Sequence, residues 1–415
     1  MNGKRKIIEI ILEYFRQLLP VACIFFLFCF PRTLNAQELR LLFAGDAMQH
    51  KSQIDNAFRN GEYDYSSYFR HIKYEISRAD LAVVNLEGPL GGKPHKGYPT
   101  FSIPDEFAIA LKDAGFSVFL TANNHAADCY SKGIRRTIDT LDSLGVYHTG
   151  TFKNSSERER DYPLIVEKND IRMAFLNYTY DTNGINPETP YIVNIIDTAL
   201  IREDILKAQL ANPDVIIAAM HWGQEYKLNQ SKSQEQLALF MINQGVDLII
   251  GSHPHVVQPS QIFTDPVSDR KHLIVYSLGN FVSGMSAVNT DGGQMISVKL
   301  KKANGKTQIE SCGTLLFYTQ QKKVNGKIDF TLIPVTLVEE AKAMLPNTDK
   351  IESDSLTYEK MMRFANNARS LFRQYNVEVN EHRFSDEKSK EDDFLKFIPL
   401  KFGLWKQICN FAPQK

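Results

Sequence analysis

The chain has 415 residues, 43% of them hydrophobic, which is enough to bury a full-sized core and excludes wholesale disorder. Its 48 basic and 48 acidic side chains cancel. No global field is left to gather nucleic acid or an anionic membrane, so partners must be recognised at local sites.

In chain order, Lys4, Arg5 and Lys6 precede the apolar run 18–30, and small Ala36 follows. Charge, apolar stretch and small residue in that order make a secretory signal. The run is shorter than the roughly 20 apolar residues a membrane span needs. Residues 1–36 are therefore expected to be a cleaved signal peptide, with an uncleaved N-terminal anchor or a lipid on Cys23 as alternatives. Beyond them stand only Cys129, Cys312 and Cys409, too scattered for a disulfide framework or a thiolate zinc site.

From residue 37 onward, β-rich runs alternate with helical patterns. "ELRLLFAG" predicts a strand, "YSSYFRHIKYEIS" a helix and "DLAVVNLE" a strand. "PDEFAIALKDAG" carries helix start and stop signals, as does "SKGIRRTIDTLDSLG". The βα rhythm continues through "DVIIAAMHWG", "SQEQLALFMINQG", "DLIIGSHPH" and "HLIVYSLGNF", predicting an α/β fold with a mainly parallel buried sheet. After Asp291, β-rich runs joined by "ANGK" and "VNGK" predict hairpins that complete a second sheet. From about residue 339 the pattern turns helical and charged. The final "FLKFIPLKFGLWKQICNFAP" is expected to be a docked helix or an amphipathic tail.

Metal-capable side chains gather where apolar runs break. Asp46 follows "LLFAG", Glu87 follows "LAVVNL", Asn124 and His125 follow "VFLTAN", His221 follows "VIIAAM", and His253 and His255 follow "LIIGS". In open α/β sheets the carboxyl ends of strands are where ligands bind. Singly, each residue has an ordinary structural explanation: a capping Asp, a surface acid, a hydrogen-bonded histidine. "SHPH" is more specific, because Pro254 disfavours helical backbone at His253. An extended segment would point His253 and His255 to the same side. Five strand ends carrying such groups predict a one- or two-metal site for zinc, manganese or iron, with a spare histidine as acid.

These stretches, "GDAM", "NLEGPL", "TANNHAAD", "HWGQEY", "GSHPHVVQP" and "YSLGNF", resemble in order those of the CapA-type capsule biosynthesis proteins, associated with poly-γ-glutamate. That family looks like a branch of the calcineurin-like metallophosphoesterases, and the resemblance spans roughly residues 38–300. It implies a four-layer α/β/β/α fold, two mixed sheets sandwiched by helices, with the site at the sheet edges. It also implies Asp46, Glu87, Asn124, His221, His253 and His255 as metal ligands, Glu87 as the bridging carboxylate, and His125 beside the leaving group. Asn280 and Glu225 are expected to contact substrate. One position departs from the phosphoesterase pattern: a histidine usually stands two residues after the first Asp, and here it is Met48, which leaves a ligand missing unless His50 substitutes.

The expected organisation is residues 1–36 as signal or anchor, 37–338 as the metallophosphoesterase-like domain, and 339–415 as a mainly helical extension. The expected function is exported, in the periplasm or on the outer envelope surface, and concerns an anionic capsule polymer. Either a metal-activated water cleaves a phosphoester or γ-glutamyl amide, or the fold only binds the polymer or a membrane-bound polymer synthase.

Overall fold

The computed structural model describes residues 37–324, 326–344 and 355–382. The expected signal or anchor, Cys409, and the charged and aromatic C-terminal stretches lie outside the described residues.

Two sheets pack face to face. The first runs in the spatial order Lys327–Pro334, Lys306–Val324, Gly292–Ala303, Gln37–Ala47, Leu81–Leu86, Val118–Leu120, Tyr147–Thr149. The second runs Ser260–Thr264, Lys271–Val275, Leu248–Ser252, Val215–His221, Ile171–Thr179, Leu164–Lys168. Alternation along the Gln37–Ala47 strand explains the layering, since neighbouring side chains leave a strand on opposite faces. Leu39, Leu41 and Phe43 enter the core between the sheets, against Phe175, Ile217 and Ile250. Leu42 and Ala44 face outward into a second core with Phe107 and Leu111 of the helix Asp105–Ala114. On the far side, the helices Thr198–Leu210 and Lys232–Asn243 cover Leu176, Ile216 and Ile249. The result is an α/β/β/α sandwich, extended by the helix Ser355–Tyr375, whose Phe364 and Ala365 pack on Leu316 and Tyr318.

Three expectations need correction. Both hairpins form, the first through Asn304 and Gly305 at φ 54° and 73°. They join the first sheet, however, because Gln37–Phe43 pairs antiparallel with Ile296–Lys302. Both sheets are mixed, the second because Ser260–Thr264 and Leu164–Lys168 pair antiparallel at its edges. Next, "YSSYFRHIKYEIS" is helical only over Lys73–Ser77. The Leu332 N–H takes the Tyr68 carbonyl at 2.9 Å, and Asp64 accepts from the Ser66 N–H, so backbone groups that would build a helix are used elsewhere. Finally, the last of the β-rich runs after Asp291 ends as a strand at Pro334 and continues as the helix Val335–Met344.

His71, in that irregular stretch, is buried with no partner for Nδ1, and burial, with a smaller push from Arg70, lowers its pKa from 6.5 to about 4. The folded protein therefore binds fewer protons there than the unfolded chain below pH 6.5. This contribution is lost as pH falls from about 6.5 to about 4. A His71→Leu protein should accordingly gain stability relative to wild type on going from pH 7 to pH 4.5, by an amount on the order of a few kcal/mol. Chemical denaturation at the two pH values reads this directly, and an unchanged difference would mean that the ring is not held neutral.

Candidate metal centre

The strand ends of both sheets meet at one edge. Asp46 is the penultimate residue of Gln37–Ala47, and Glu87 follows Leu81–Leu86 directly. Asn124 and His125 lie on the turns after Val118–Leu120. His221 ends its strand in the second sheet, and His253 and His255 follow Leu248–Ser252. Gly45 allows the approach: a Cβ there would fall 1.9 Å from the Gly279 carbonyl, to which Asp46 N–H donates at 3.1 Å.

Asp46 is fully buried. Asn85 Nδ2 donates to its Oδ1 at 2.7 Å and the His253 backbone N–H to its Oδ2 at 3.1 Å. His255 Nδ1 stands 3.5 Å from Oδ2 and His221 Nδ1 4.0 Å from Oδ1. Burial would raise this carboxyl, but the His255 hydrogen bond and the two imidazole charges outweigh it and hold it at about 2. Glu87 is the opposite case. Burial first, and then the charges of Asp46, Glu225 and Asp128, push its pKa well above the carboxylate range.

The histidines are held individually. Asn280 Oδ1 accepts from His255 Nδ1 at 2.9 Å while its Nδ2 donates to the Thr290 carbonyl, so the His255 proton is on Nδ1. The Nε2 lone pair is left facing Glu87 Oε1, 4.0 Å away. His221 Nε2 hydrogen-bonds Asn124 Oδ1 at 2.8 Å and lies 3.7 Å from Glu87 Oε1, and burial holds the ring well below its usual pKa. The His253 ring lies 4.9 Å from that of His221 and 4.5 Å from Tyr180, and burial lowers its pKa to about 4.

"SHPH" is not extended as expected. His253 and His255 have φ of 100° and 58°, and the backbone turns so that the His253 N–H reaches Asp46. Such φ values cost strain in residues other than glycine, and they sit here at the centre of the cluster. The two rings converge to 6.0 Å by this turn rather than by strand alternation.

Whether the donors fit a metal is tested by what they lack. Both Glu87 oxygens and His253 Nδ1 are buried without a hydrogen-bond partner. Unpaired buried acceptors of that kind are costly unless a cation meets them. One ligand atom each from Asp46, Glu87 and His255 fall within 4.8 Å of one another. Imidazole, carboxylate and amide oxygen without thiolate suit zinc, manganese or iron.

The remaining sites divide. His125 Nδ1–H donates to Asp128 Oδ2 at 2.8 Å, and that carboxylate is fixed by the Phe101 N–H at 2.6 Å. Glu225 is exposed and close enough to raise the Glu87 and Tyr180 pKa values, which puts it at the mouth. Asn280 is buried, with both ends on protein partners, so it positions His255 instead of facing substrate. Met48 is buried in the outer core of the first sheet. Sequence reasoning passed over Asp128, Asn85, Tyr180 and Ser252, whose Oγ stands 3.2 Å from His221 Nδ1. The i, i+3 spacing of His125 and Asp128, and the same-face spacing of Asn85 and Glu87, were signals available for two of them.

Residues 40–285, more than half of the chain, match the family described as bacterial capsule synthesis protein PGA_cap. The chain is 29% identical over 309 residues to the capsule biosynthesis protein CapA of Bacillus anthracis, covering 71% of each. It is 27% identical over 289 residues to the PGA biosynthesis protein CapA of Bacillus subtilis, covering 67% of this chain and 72% of that one. Among solved structures, the calcineurin-like phosphoesterase YfkN of Bacillus subtilis aligns with a TM-score of 0.41 and 16% identity, over 68% of this chain and 90% of that one. The NAD nucleotidase of Haemophilus influenzae aligns at 0.44 and 12%, over 89% and 68%. With its matched span containing every strand end of the cluster, the chain belongs to the bacterial capsule synthesis family PGA_cap.

Proposed function

We propose that the protein is an exported hydrolase of capsule-polymer metabolism whose site binds one or two manganese, iron or zinc ions and cleaves a phosphoester or a γ-glutamyl amide. The observation that carries this is the buried Glu87 carboxyl, both oxygens unpartnered and Oε1 facing His221 and His255. Asp46, Glu87, Asn124, His221, His253 and His255 would hold the metal. When bound, it supplies Lewis acidity and makes hydroxide available near neutral pH.

The chain's own residues do the rest. Asn85 orients Asp46, and Asn280 keeps the His255 Nε2 lone pair turned inward. Asp128 fixes the His125 ring so that Nε2 is the atom that presents a proton to a leaving group. Glu225 stands at the entrance, where it would contact substrate.

The missing ligand at Met48 favours a second reading, in which the site binds the polymer or a membrane-bound synthase without turnover. The two separate in one experiment. A capsule-deficient deletion strain is complemented with wild type or His253→Ala protein, and the purified proteins are analysed for metal. The hydrolase reading expects one or two equivalents in wild type, loss in the variant and loss of rescue. Full rescue by a metal-free variant would overturn it in favour of binding.

A further inference from the structure

The departure at Met48 raises the question of what His50 does. Its Nδ1 accepts the Gly284 N–H at 3.1 Å. A backbone N–H can only donate, so the neutral ring carries its proton on Nε2. The lone pair that would have made His50 a substitute ligand is already used, and the atom left over is a donor. His255 is fixed the other way round by Asn280, four residues before Gly284. One short segment, 280–284, thus sets two imidazoles in opposite tautomers, one with its lone pair on Nε2 and one with its N–H there.

The ring is held firmly. A Cβ on Gly284 would come within 2.7 Å of His50 Cβ, so the Gly284 backbone lies directly against the His50 side chain. Gln53 Oε1 accepts the His50 backbone N–H at 2.8 Å. The ring stands edge-on to Phe101 at 5.5 Å, and Phe101 stands edge-on to His125 at 4.6 Å. His50 is near enough to His125 and His255 to feel a charge on either. It is only partly buried.

We propose that His50 is a substrate-contacting residue, whose Nε2–H donates to an anionic oxygen, phosphoryl or carboxylate, of a substrate seated at the Asp46, Glu87 and His255 cluster. This rests on reading that cluster as a metal-dependent substrate site. Where the phosphoesterase pattern has a metal ligand, this chain then has a neutral donor placed on the substrate, and the specificity of the site depends on it.

The test uses the full-length chain loaded with manganese, as wild type, His50→Phe and His50→Gln. Calorimetric titration with inorganic phosphate and, separately, with γ-glutamylglutamate tells the phosphoryl and carboxylate sources apart. Metal content is measured on each protein. The expected result is unchanged metal in both variants, with His50→Phe binding the preferred anion about 10- to 100-fold more weakly, as loss of a hydrogen bond to a charged group requires. His50→Gln, which keeps a donor, should recover most of that loss. Unchanged anion affinity in His50→Phe would overturn the proposal. So would loss of metal in both variants, which would make His50 a ligand. A wild type that binds neither metal nor anion would remove the reading of the cluster, and the proposal with it, before any variant is compared.

Discussion

Replacing Glu87 with glutamine is expected to move stability in opposite directions with and without metal. In metal-free protein, Glu87 is fully buried, both oxygens lack partners, and burial together with Asp46 disfavours its charge. Folding must then either protonate the carboxyl or bury it unpaired. Removing that obligation should stabilise metal-free Glu87→Gln by about 1–3 kcal/mol. Metal reverses the order, because a ligand that binds only the native state adds about 2.7 kcal/mol at a concentration 100 times its dissociation constant. Wild type should gain that increment and the variant little of it. Thermal melts in chelator and in excess manganese give all four values. A metal-free variant less stable than metal-free wild type, or equal stabilisation of both by manganese, would show that the pocket was not built for a cation.

The second large effect concerns turnover. His125→Ala should lower kcat by about 10²- to 10⁴-fold, the usual share of a positioned acid, and leave metal content unchanged. Asp128→Asn should cost less, about 100-fold, because the ring remains while its orientation and tautomer are no longer fixed. The Asp128 Oδ2 accepts from both His125 Nδ1–H and the Phe101 N–H, so an amide keeps both contacts if its oxygen takes that place, neither if its nitrogen does, and loses the carboxylate charge in either case. The comparison is made on whichever phosphoester or γ-glutamyl substrate wild type cleaves. Equal kcat in all three proteins would take His125 out of the chemistry.

Much of this site was legible because strand ends are marked in sequence by apolar runs that stop at polar residues. Asp46, Glu87, His221, His253 and His255 were found that way, and the helices ending at Gly115 and Gly145 by their stop signals. What stayed hidden depends on contacts between distant segments. Nothing near Gly292 says that its strand will pair with Gln37–Phe43 rather than with the second sheet. Nothing near Tyr68 says that Leu332 will take its carbonyl. Asn280 was expected to contact substrate because "SLGNF" ends at the same rim as the other strand ends, and only the fold reveals His255 on one side of it and Thr290 on the other. The left-handed backbone of "SHPH" was hidden for the same reason, since it serves a hydrogen bond to a residue 207 positions away.

The pairing of Gln37 with Lys302 has a consequence in time. The strand that delivers Asp46 has one neighbour, Leu81–Leu86, available early in synthesis, and its other neighbours only after residue 280 has emerged. Asp46 therefore meets His253 and His255 late, by a contact of long sequence separation, which is intrinsically slow to form. An ion cannot template the early stages of folding here. An ion bound at this cluster would enter a nearly finished molecule, and the compartment in which the chain completes its fold would then decide which metal it meets.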